Sequence, residues 1–181
     1  MNKLVVITGC SGGGKSTIIA ELKDQGYTVV EEAGLALLRE QIAKNSDITP
    51  WQNPIPFCEL MVEKSIDLFH QAKKIQSVKN QVIFFDRCVL EGVSYFQNLG
   101  RQEYDYLIEE LRYYPLIFIT PSWEEIYCND EERKHSFEKA LKNYEREVEF
   151  YPKCGYQIIE VPKQSVKERV KFILSAIADT K

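Results

Sequence analysis

The residues best suited to chemistry lie near the start of the chain, in a glycine-rich segment that ends in Lys15 and Ser16. Residues 9–16 read GCSGGGKS, which is a complete G-x-x-x-x-G-K-[ST] pattern. Glycines let the backbone wrap closely enough for successive N–H groups to point at phosphate oxygens. The lysine serves the β- and γ-phosphates, and the hydroxyl that follows it is a Mg²⁺ ligand. We therefore predict that ATP with Mg²⁺ binds to Gly9, Ser11, Gly12, Gly13, Gly14, Lys15, Ser16 and Thr17.

A carboxylate and a cation follow an apolar run further along the chain. Four apolar residues, 82–85, lead directly into Asp86 and Arg87. Ligands of open parallel sheets gather at the carboxyl ends of strands, so Asp86 could hold a Mg²⁺-bound water or act as a base. The alternative is that Asp86 caps the next helix. Arg87 could clamp the γ-phosphate or an acceptor group, or it could form only a surface salt bridge.

Two glutamates follow another apolar run. Glu31 and Glu32 come directly after Val29 and Val30. If that run is a strand, one of the glutamates faces the same ligand cleft, where a carboxylate can accept the proton of an attacking hydroxyl. The alternative is an acidic residue that only favours the start of the next helix. The sequence leaves open which of the two faces the cleft.

Apolar β-rich runs alternate with helical patterns along the whole chain. Near-continuous Val, Ile and Phe runs are typical of strands that are covered on both faces. They predict strands at 3–8, 27–31, 82–86, 116–120 and 156–161. Helical spacing predicts helices at 14–25, 33–44, 56–77, 88–112 with a break near Gly100, one after Pro121, one through 137–151, and one at 163–178. Residues 45–56, with three prolines, are predicted to form a loop. We therefore expect an α/β fold with helices on both faces of a parallel sheet.

Composition narrows the functional classes. The 181 residues carry a net charge of −4 and are 44% hydrophobic, which predicts one ordinary globular domain, residues 1–181. This weakly negative net charge does not favour binding to a nucleic-acid backbone, which requires a basic surface. The five cysteines are odd in number and widely spaced, which favours reduced thiols. No apolar run approaches a spanning helix and no leader pattern opens the chain, so we expect a soluble cytoplasmic protein with no membrane partner.

Taken together, these motifs resemble a known family. The chain is similar to the AAA-domain ATPase family of small P-loop proteins that are kinase-like and do not form rings. Relatives are the ribosylnicotinamide kinase domain and, more remotely, the deoxynucleoside and thymidylate kinases. The resemblance is carried by segments 9–16, 30–33, 84–87, 119–123, 130–133, 155–156, 160–162 and 166–169, together with Glu91, Tyr95 and the long helix before the last strand.

The resemblance implies a P-loop three-layer sandwich whose five parallel strands have the order 2-3-1-4-5. It implies a helical lid at about 122–136, in which Arg133 would reach over the bound triphosphate. The resemblance also implies that Glu31 or Glu32 contacts the acceptor hydroxyl and that Pro162 lies beside the adenine ring. Many relatives have glycine after the Asp-Arg pair where this chain has Cys88, which narrows the space near an acceptor phosphate.

Three functions remain open from the sequence. The first is a kinase that phosphorylates a nucleoside-like or other hydroxyl acceptor held between Glu31 or Glu32, the 51–57 loop and Arg87. The second is an ATPase that uses water and drives a conformational change in a protein partner. The third is a nucleotide-sensing module with negligible turnover. Acceptor-dependent ADP release would distinguish the kinase from the other two.

Overall fold

All five predicted strands form. A computed structural model describes residues 3–126 and 137–179. The strands are β1 (Leu4–Gly9), β2 (Thr28–Val30), β3 (Ile83–Asp86), β4 (Leu116–Thr120) and β5 (Gln157–Glu160). They pair in parallel in the order β2-β3-β1-β4-β5, which confirms the predicted order. Parallel pairing brings the carboxyl ends of all five strands to one edge of the sheet.

Helices cover both faces of the sheet. They are α1 (Lys15–Asp24), α2 (Ala33–Ala43), α3 (Pro54–Lys79), α4 (Val89–Asn98), α5 (Leu107–Glu110), α6 (Phe137–Lys153) and α7 (Val166–Asp179), with a 3₁₀ turn at Glu124–Ile126. Alternate residues of β1 enter two separate cores. Leu4 and Val6 pack with apolar residues of α3, α4 and α6, whereas Val5 and Ile7 pack with those of α1 and α7. Burial on both faces explains why the strand sequences are continuously apolar.

The start of α3 differs from the sequence-based expectation. Helix α3 begins at Pro54, inside the region predicted as loop, because proline suits the first turn of a helix, where its missing N–H costs nothing. The break predicted near Gly100 is present, because α4 ends at Asn98, α5 begins at Leu107, and Gly100 between them has a left-handed φ of 74°. Of the predicted lid, only residues 122–126 are described. No helix within the described residues is both long and apolar enough to span a membrane.

Candidate functional site

The phosphate-loop candidate joins the end of β1 to the start of α1, against the end of β4. At Gly9, which has a φ of 116°, a Cβ would lie 2.3 Å from the carbonyl oxygen of Thr120. At Gly13, a Cβ would lie 2.7 Å from the carbonyl oxygen of Pro121. Side chains would push the loop away from β4 at both positions. Glycine therefore allows this loop to lie closely against its neighbouring strand.

Lys15 is folded back onto the loop. Its Nζ donates hydrogen bonds to the carbonyl oxygens of Gly9 at 3.1 Å and Cys10 at 3.0 Å. Burial, followed by the positive charge of Arg87, lowers the pKa of Lys15 to about 8. Within the described part of the chain, the hydrogen bonds of this buried cation go to neutral carbonyl groups, so Lys15 is poised to bind anionic oxygens that enter the loop.

The hydroxyl groups after Lys15 differ in their contacts. The Thr17 hydroxyl donates a hydrogen bond of 2.8 Å to the carbonyl oxygen of Gly14, so it closes the first turn of α1. Ser16 is exposed and borders the same large cavity as Asp86. Ser11, Gly12 and Gly14 also border that cavity, together with Gly9, Lys15 and Thr17.

Asp86 ends β3 with an unsatisfied carboxylate. Its Oδ1 is buried and has no hydrogen-bond partner among the described residues. Burial raises the pKa of Asp86 to about 6, although the charge of Lys15 opposes the increase. A lone carboxylate oxygen and the Ser16 hydroxyl on one cavity fit Mg²⁺, which takes few protein oxygens and keeps several waters. No group of three or more His, Cys, Asp or Glu within the described residues could hold a metal.

Arg87 turns beneath the phosphate loop, with a left-handed φ of 65°. Its Nη2 donates to the carbonyl oxygen of Gly9 at 3.2 Å, and its Nη1 donates to Glu91 at 2.6 Å and Glu147 at 3.3 Å. Its Nε lies 3.5 Å from Glu32. Burial alone would lower the pKa of Arg87, but these three carboxylates raise it well above its ordinary value. The side chain is only 22% exposed, so Arg87 forms no surface salt bridge but a largely buried ion cluster.

The two glutamates after β2 point to different partners. Glu31 forms an ion pair with Lys23, is 71% exposed, and has a pKa below its ordinary value because of that lysine. Glu32 lies against Arg87 and is 38% exposed. Both border the cavity, but Glu32 is the one in contact with the cluster at the end of β3.

The sequence reasoning missed the role of Glu147. This residue of α6 is 3% exposed, and its Oε2 lies 2.9 Å from the Thr8 hydroxyl. It shares the buried face of the helix with Tyr151, at a spacing of four residues. An acidic residue on the apolar stripe of an amphipathic helix is the signal that could have identified it. In the sequence, only the resemblance to the family points to Glu91, which also contacts Thr8 and Arg87.

A second arginine supports the loop from α7. Arg169 is 1% exposed, and its Nη2 donates a hydrogen bond of 2.8 Å to the carbonyl oxygen of Gly13. Its guanidinium carbon lies 5.4 Å from the centre of the Trp123 ring.

Gly13 and Pro162, both predicted to contact nucleotide, do not line the cavity. The cavity wall after β5 is formed by Gln164, Ser165 and Val166.

The cavity continues beyond the loop. Its volume is about 1040 Å³, which is enough for two small ligands. Apolar and aromatic side chains form part of its wall, and they include Leu38, Phe57, Met61, Leu68, Phe85 and Tyr113. Arg146 of α6 also lines the cavity, and its Nε is buried with no hydrogen-bond partner in the described part of the chain. Its charge opposes the rise in pKa that burial causes at Cys58 and Tyr95, which places Arg146 near α3 and α4.

Most of the predicted site therefore assembles at one edge of the sheet. The phosphate loop, Asp86, Arg87 and Glu32 surround one cavity, and Glu31 lies at its exposed margin. Arg133 and the lid segment from residue 127 onward lie outside the described residues, so the lid remains a prediction.

Comparisons with known proteins agree with this geometry. A family model described as an AAA domain matches residues 4–169. A nucleotide-binding protein of Granulibacter bethesdensis is 48% identical over 42 residues, which cover 23% of this chain and 13% of that protein. A nucleotide-binding protein of Coprothermobacter proteolyticus is 43% identical over 51 residues, which cover 26% of this chain and 18% of that protein. The matched segments thus span only 13% and 18% of these curated relatives.

A solved structure matches over nearly the whole length. It is deoxyadenosine kinase from M. mycoides with bound dATP, with a TM-score of 0.58 and 18% sequence identity. The match covers 97% of this chain and 99% of that one, so the two proteins share their fold. The family model, the strand order and the phosphate loop lead to one conclusion. This chain belongs to the AAA-domain family and has the nucleotide-binding fold of a kinase-like P-loop NTPase.

Proposed function

We propose that this chain is a Mg²⁺-dependent kinase that transfers the γ-phosphate of ATP to a hydroxyl group of a small, partly apolar acceptor. The observation that carries the proposal is a single large cavity that borders the loop, Asp86 and Glu32 and also has apolar and aromatic walls. Hydrolysis would need only a water molecule there. Walls that include Phe57, Met61 and Tyr113 suit a ring-containing organic molecule instead.

The donor would bind at the phosphate loop. Lys15 would move its hydrogen bonds from the loop carbonyl groups to the β- and γ-phosphate oxygens, and the loop N–H groups would bind the same phosphates. Ser16 and Asp86 would hold Mg²⁺. When bound, this ion would offset the negative charge of the β- and γ-phosphates. Arg133 is proposed as a further cation for the transferring group.

The acceptor would react from the side of Glu32. Its hydroxyl oxygen forms a bond to the γ-phosphorus, and its proton passes to the Glu32 carboxylate. The bond between the γ-phosphorus and the β,γ-bridging oxygen breaks, and ADP leaves. Glu32 is suited to this role because it is held by Arg87 at the end of β2 and still opens into the cavity. Arg146, whose Nε has no hydrogen-bond partner among the described residues, is the proposed contact for a carbonyl or anionic group of the acceptor.

A screen scored by ADP production tests the proposal. The protein is incubated with MgATP and nucleosides, vitamin-like alcohols or buffer alone. ADP release that depends on one acceptor class supports the kinase. Equal release in buffer alone would establish the ATPase alternative, in which a protein partner takes the place of the acceptor. Tight ATP binding with no release in any condition would establish a nucleotide-sensing module.

A further inference from the structure

Two carboxyl groups meet at one hydroxyl beneath the phosphate loop. The Thr8 Oγ1 lies 2.5 Å from Oε1 of Glu91 and 2.9 Å from Oε2 of Glu147. Thr8 is fully buried at the end of β1, and Glu147 is 3% exposed. The three residues come from β1, α4 and α6, so this contact joins three elements directly below the loop.

The number of available hydrogens determines whether one of the two carboxyl groups must be protonated. A threonine hydroxyl carries one hydrogen, so it can donate to only one of the two carboxyl groups. The second contact is a hydrogen bond only if the other carboxyl group donates to the hydroxyl oxygen. A carboxyl group can donate only when it is protonated. One of Glu91 and Glu147 must therefore be a neutral acid, or one contact is an unpaired approach of buried polar atoms.

The contacts of Arg87 identify the neutral partner. Its Nη1 lies 2.6 Å from Oε2 of Glu91 but 3.3 Å from Oε1 of Glu147. The shorter contact is typical of a charge-assisted bond to an ionised carboxylate. Glu91 is therefore the anion, and Glu147 carries the proton. Burial, and then the negative charge of Glu91, raise the pKa of Glu147 to about 7.

The surroundings of Glu147 favour the same assignment. Four carboxyl groups lie close enough to raise the pKa of Lys15 or Arg87, namely Asp86, Glu32, Glu91 and Glu147. These four groups outnumber the two cations. If all four were ionised, the excess negative charge would lie beside a loop that must accept a polyanion. The charged groups that face Glu147 are Lys15 of α1, Arg87 after β3 and Glu91 of α4. Its other titratable neighbours are Cys10, Cys88, Tyr144 and Tyr151.

We propose that Glu147 is a positioning residue of the nucleotide site, which acts as a neutral acid that donates to Thr8 and leaves Glu91 as the anion that holds Arg87. Arg87 in turn holds the carbonyl group of Gly9, the first residue of the loop. Loss of the proton adds a negative charge below the loop and competes with Glu91 for Arg87. Triphosphate binding therefore weakens when Glu147 ionises. This inference deepens the proposed function and rests on its donor site, not on the identity of the acceptor.

The variant Glu147→Gln tests the assignment, because glutamine copies the neutral acid at every pH. Its amide N–H can donate to Thr8 and its carbonyl oxygen can accept from Arg87. Calorimetric titration with a non-hydrolysable MgATP analogue is run from about pH 6 to about pH 8.5. We expect the Kd of the wild type, divided by that of Glu147→Gln at the same pH, to rise about three- to tenfold over this range. Exposed Glu145 gives the control, Glu145→Gln, which should follow the wild type.

Thermal unfolding without nucleotide gives a readout that does not depend on ligand binding. The pKa of Glu147 is raised from 4.5 to about 7 on folding, so the folded state binds the extra proton. This contribution to stability is present at low pH and is lost as pH rises through about 7. The Tm of the wild type minus that of Glu147→Gln should therefore fall by a few degrees as pH rises from about 5 to about 8.

The outcomes separate the two proposals. A Tm difference and a Kd ratio that both stay constant with pH would overturn the neutral-acid assignment. If no triphosphate binds to the wild type at any pH, the proposed function fails, while the Tm measurement still decides the charge of Glu147. If Glu147→Gln does not fold, infrared titration of the wild type replaces it. A protonated-carboxyl band that disappears near pH 7 supports the assignment, and its absence at about pH 6.5 overturns it.

Discussion

The Nη2 of Arg169 donates a hydrogen bond of 2.8 Å to the carbonyl oxygen of Gly13, and this contact fixes one peptide plane of the phosphate loop. The C=O and N–H groups of a trans peptide point in opposite directions. By holding the Gly13 carbonyl, Arg169 also sets the direction of the Gly14 N–H, which belongs to the next residue of the same peptide unit. A buried side chain of the last helix thus orients a backbone donor in the first loop of the chain.

Replacement of Arg169 should weaken nucleotide binding without removing any ligand contact of Lys15. The variant Arg169→Met keeps an extended apolar side chain but loses the hydrogen bond to Gly13, a charged-group bond of about 1.5–3 kcal/mol. We expect the Kd for MgATP, measured by calorimetry, to rise at least about tenfold. Lys171→Ala, at an exposed position of the same helix, is the matched control. An unchanged Kd in Arg169→Met would show that the loop keeps its shape without this contact.

Removal of the loop lysine should abolish turnover and leave the fold intact. Lys15→Ala removes a cation whose present partners are neutral carbonyl groups, so the folded apo protein loses little. Its bonds to phosphate are worth about 1.5–3 kcal/mol in the ground state and more as charge develops in the transition state. Calorimetry and ADP release are compared with those of Lys44→Ala, at the exposed residue that directly follows α2. Wild-type affinity and turnover in Lys15→Ala would refute the phosphate-loop assignment.

Asp86 should matter only when the metal is present. Asp86→Asn keeps the shape of the side chain and removes the negative oxygen that has no partner among the described residues. We expect Mg²⁺-dependent activity to fall about 10- to 100-fold or more, because loss of a residue that only hydrogen-bonds to a metal ligand already has an effect of that size. Nucleotide binding in EDTA should change little. Asp24→Asn, at the exposed last residue of α1, is the control. A normal increase of activity with Mg²⁺ in Asp86→Asn would mean that this carboxylate is only structural.

The two neighbouring glutamates provide a matched pair. Glu32 contacts Arg87, whereas Glu31 is paired with Lys23 at the exposed margin. If Glu32 is the base, Glu32→Gln should lower kcat about 100-fold, because a general base contributes about 10²–10⁴-fold. Glu31→Gln should change kcat little. Steady-state kinetics with the acceptor found in the screen decide between them. Equal losses in the two variants, or a larger loss in Glu31→Gln, would contradict the role given to Glu32.

The strands and the loop could be predicted because their causes are local. Residues 82–86 form a strand since a run that is buried on both faces must be apolar throughout, and the structure ends β3 at Asp86 as expected. The glycines of residues 9–14 likewise indicate that the loop backbone must lie close to its neighbours. A Cβ at Gly9 or Gly13 would be too close to the neighbouring chain. The start of α3 differs from the prediction because proline usually indicates a loop, whereas the first turn of a helix tolerates it.

The buried ion cluster could not be predicted because Glu32, Thr8 and Glu147 are distant in the sequence from Arg87 and Glu91. Glu147 and Thr8 are 139 residues apart, and no local pattern links them. The sequence places Arg87 at the end of a strand, but the left-handed backbone of Arg87 turns its guanidinium under the loop toward Gly9. A sequence shows which residues carry charge. The order of the strands and the crossing of α6 decide which of these charges meet.

The contact between Trp123 and Arg169 also makes the nucleotide site observable in solution. The chain has two tryptophans, Trp51 and Trp123. Trp123 lines the cavity, and its ring is within 5.4 Å of a guanidinium group that holds the phosphate loop. Trp51 lies on the loop before α3 and is 44% exposed. In a Trp51→Phe background, Trp123 would be the single indole fluorophore, so its emission would report events at the loop without an attached dye.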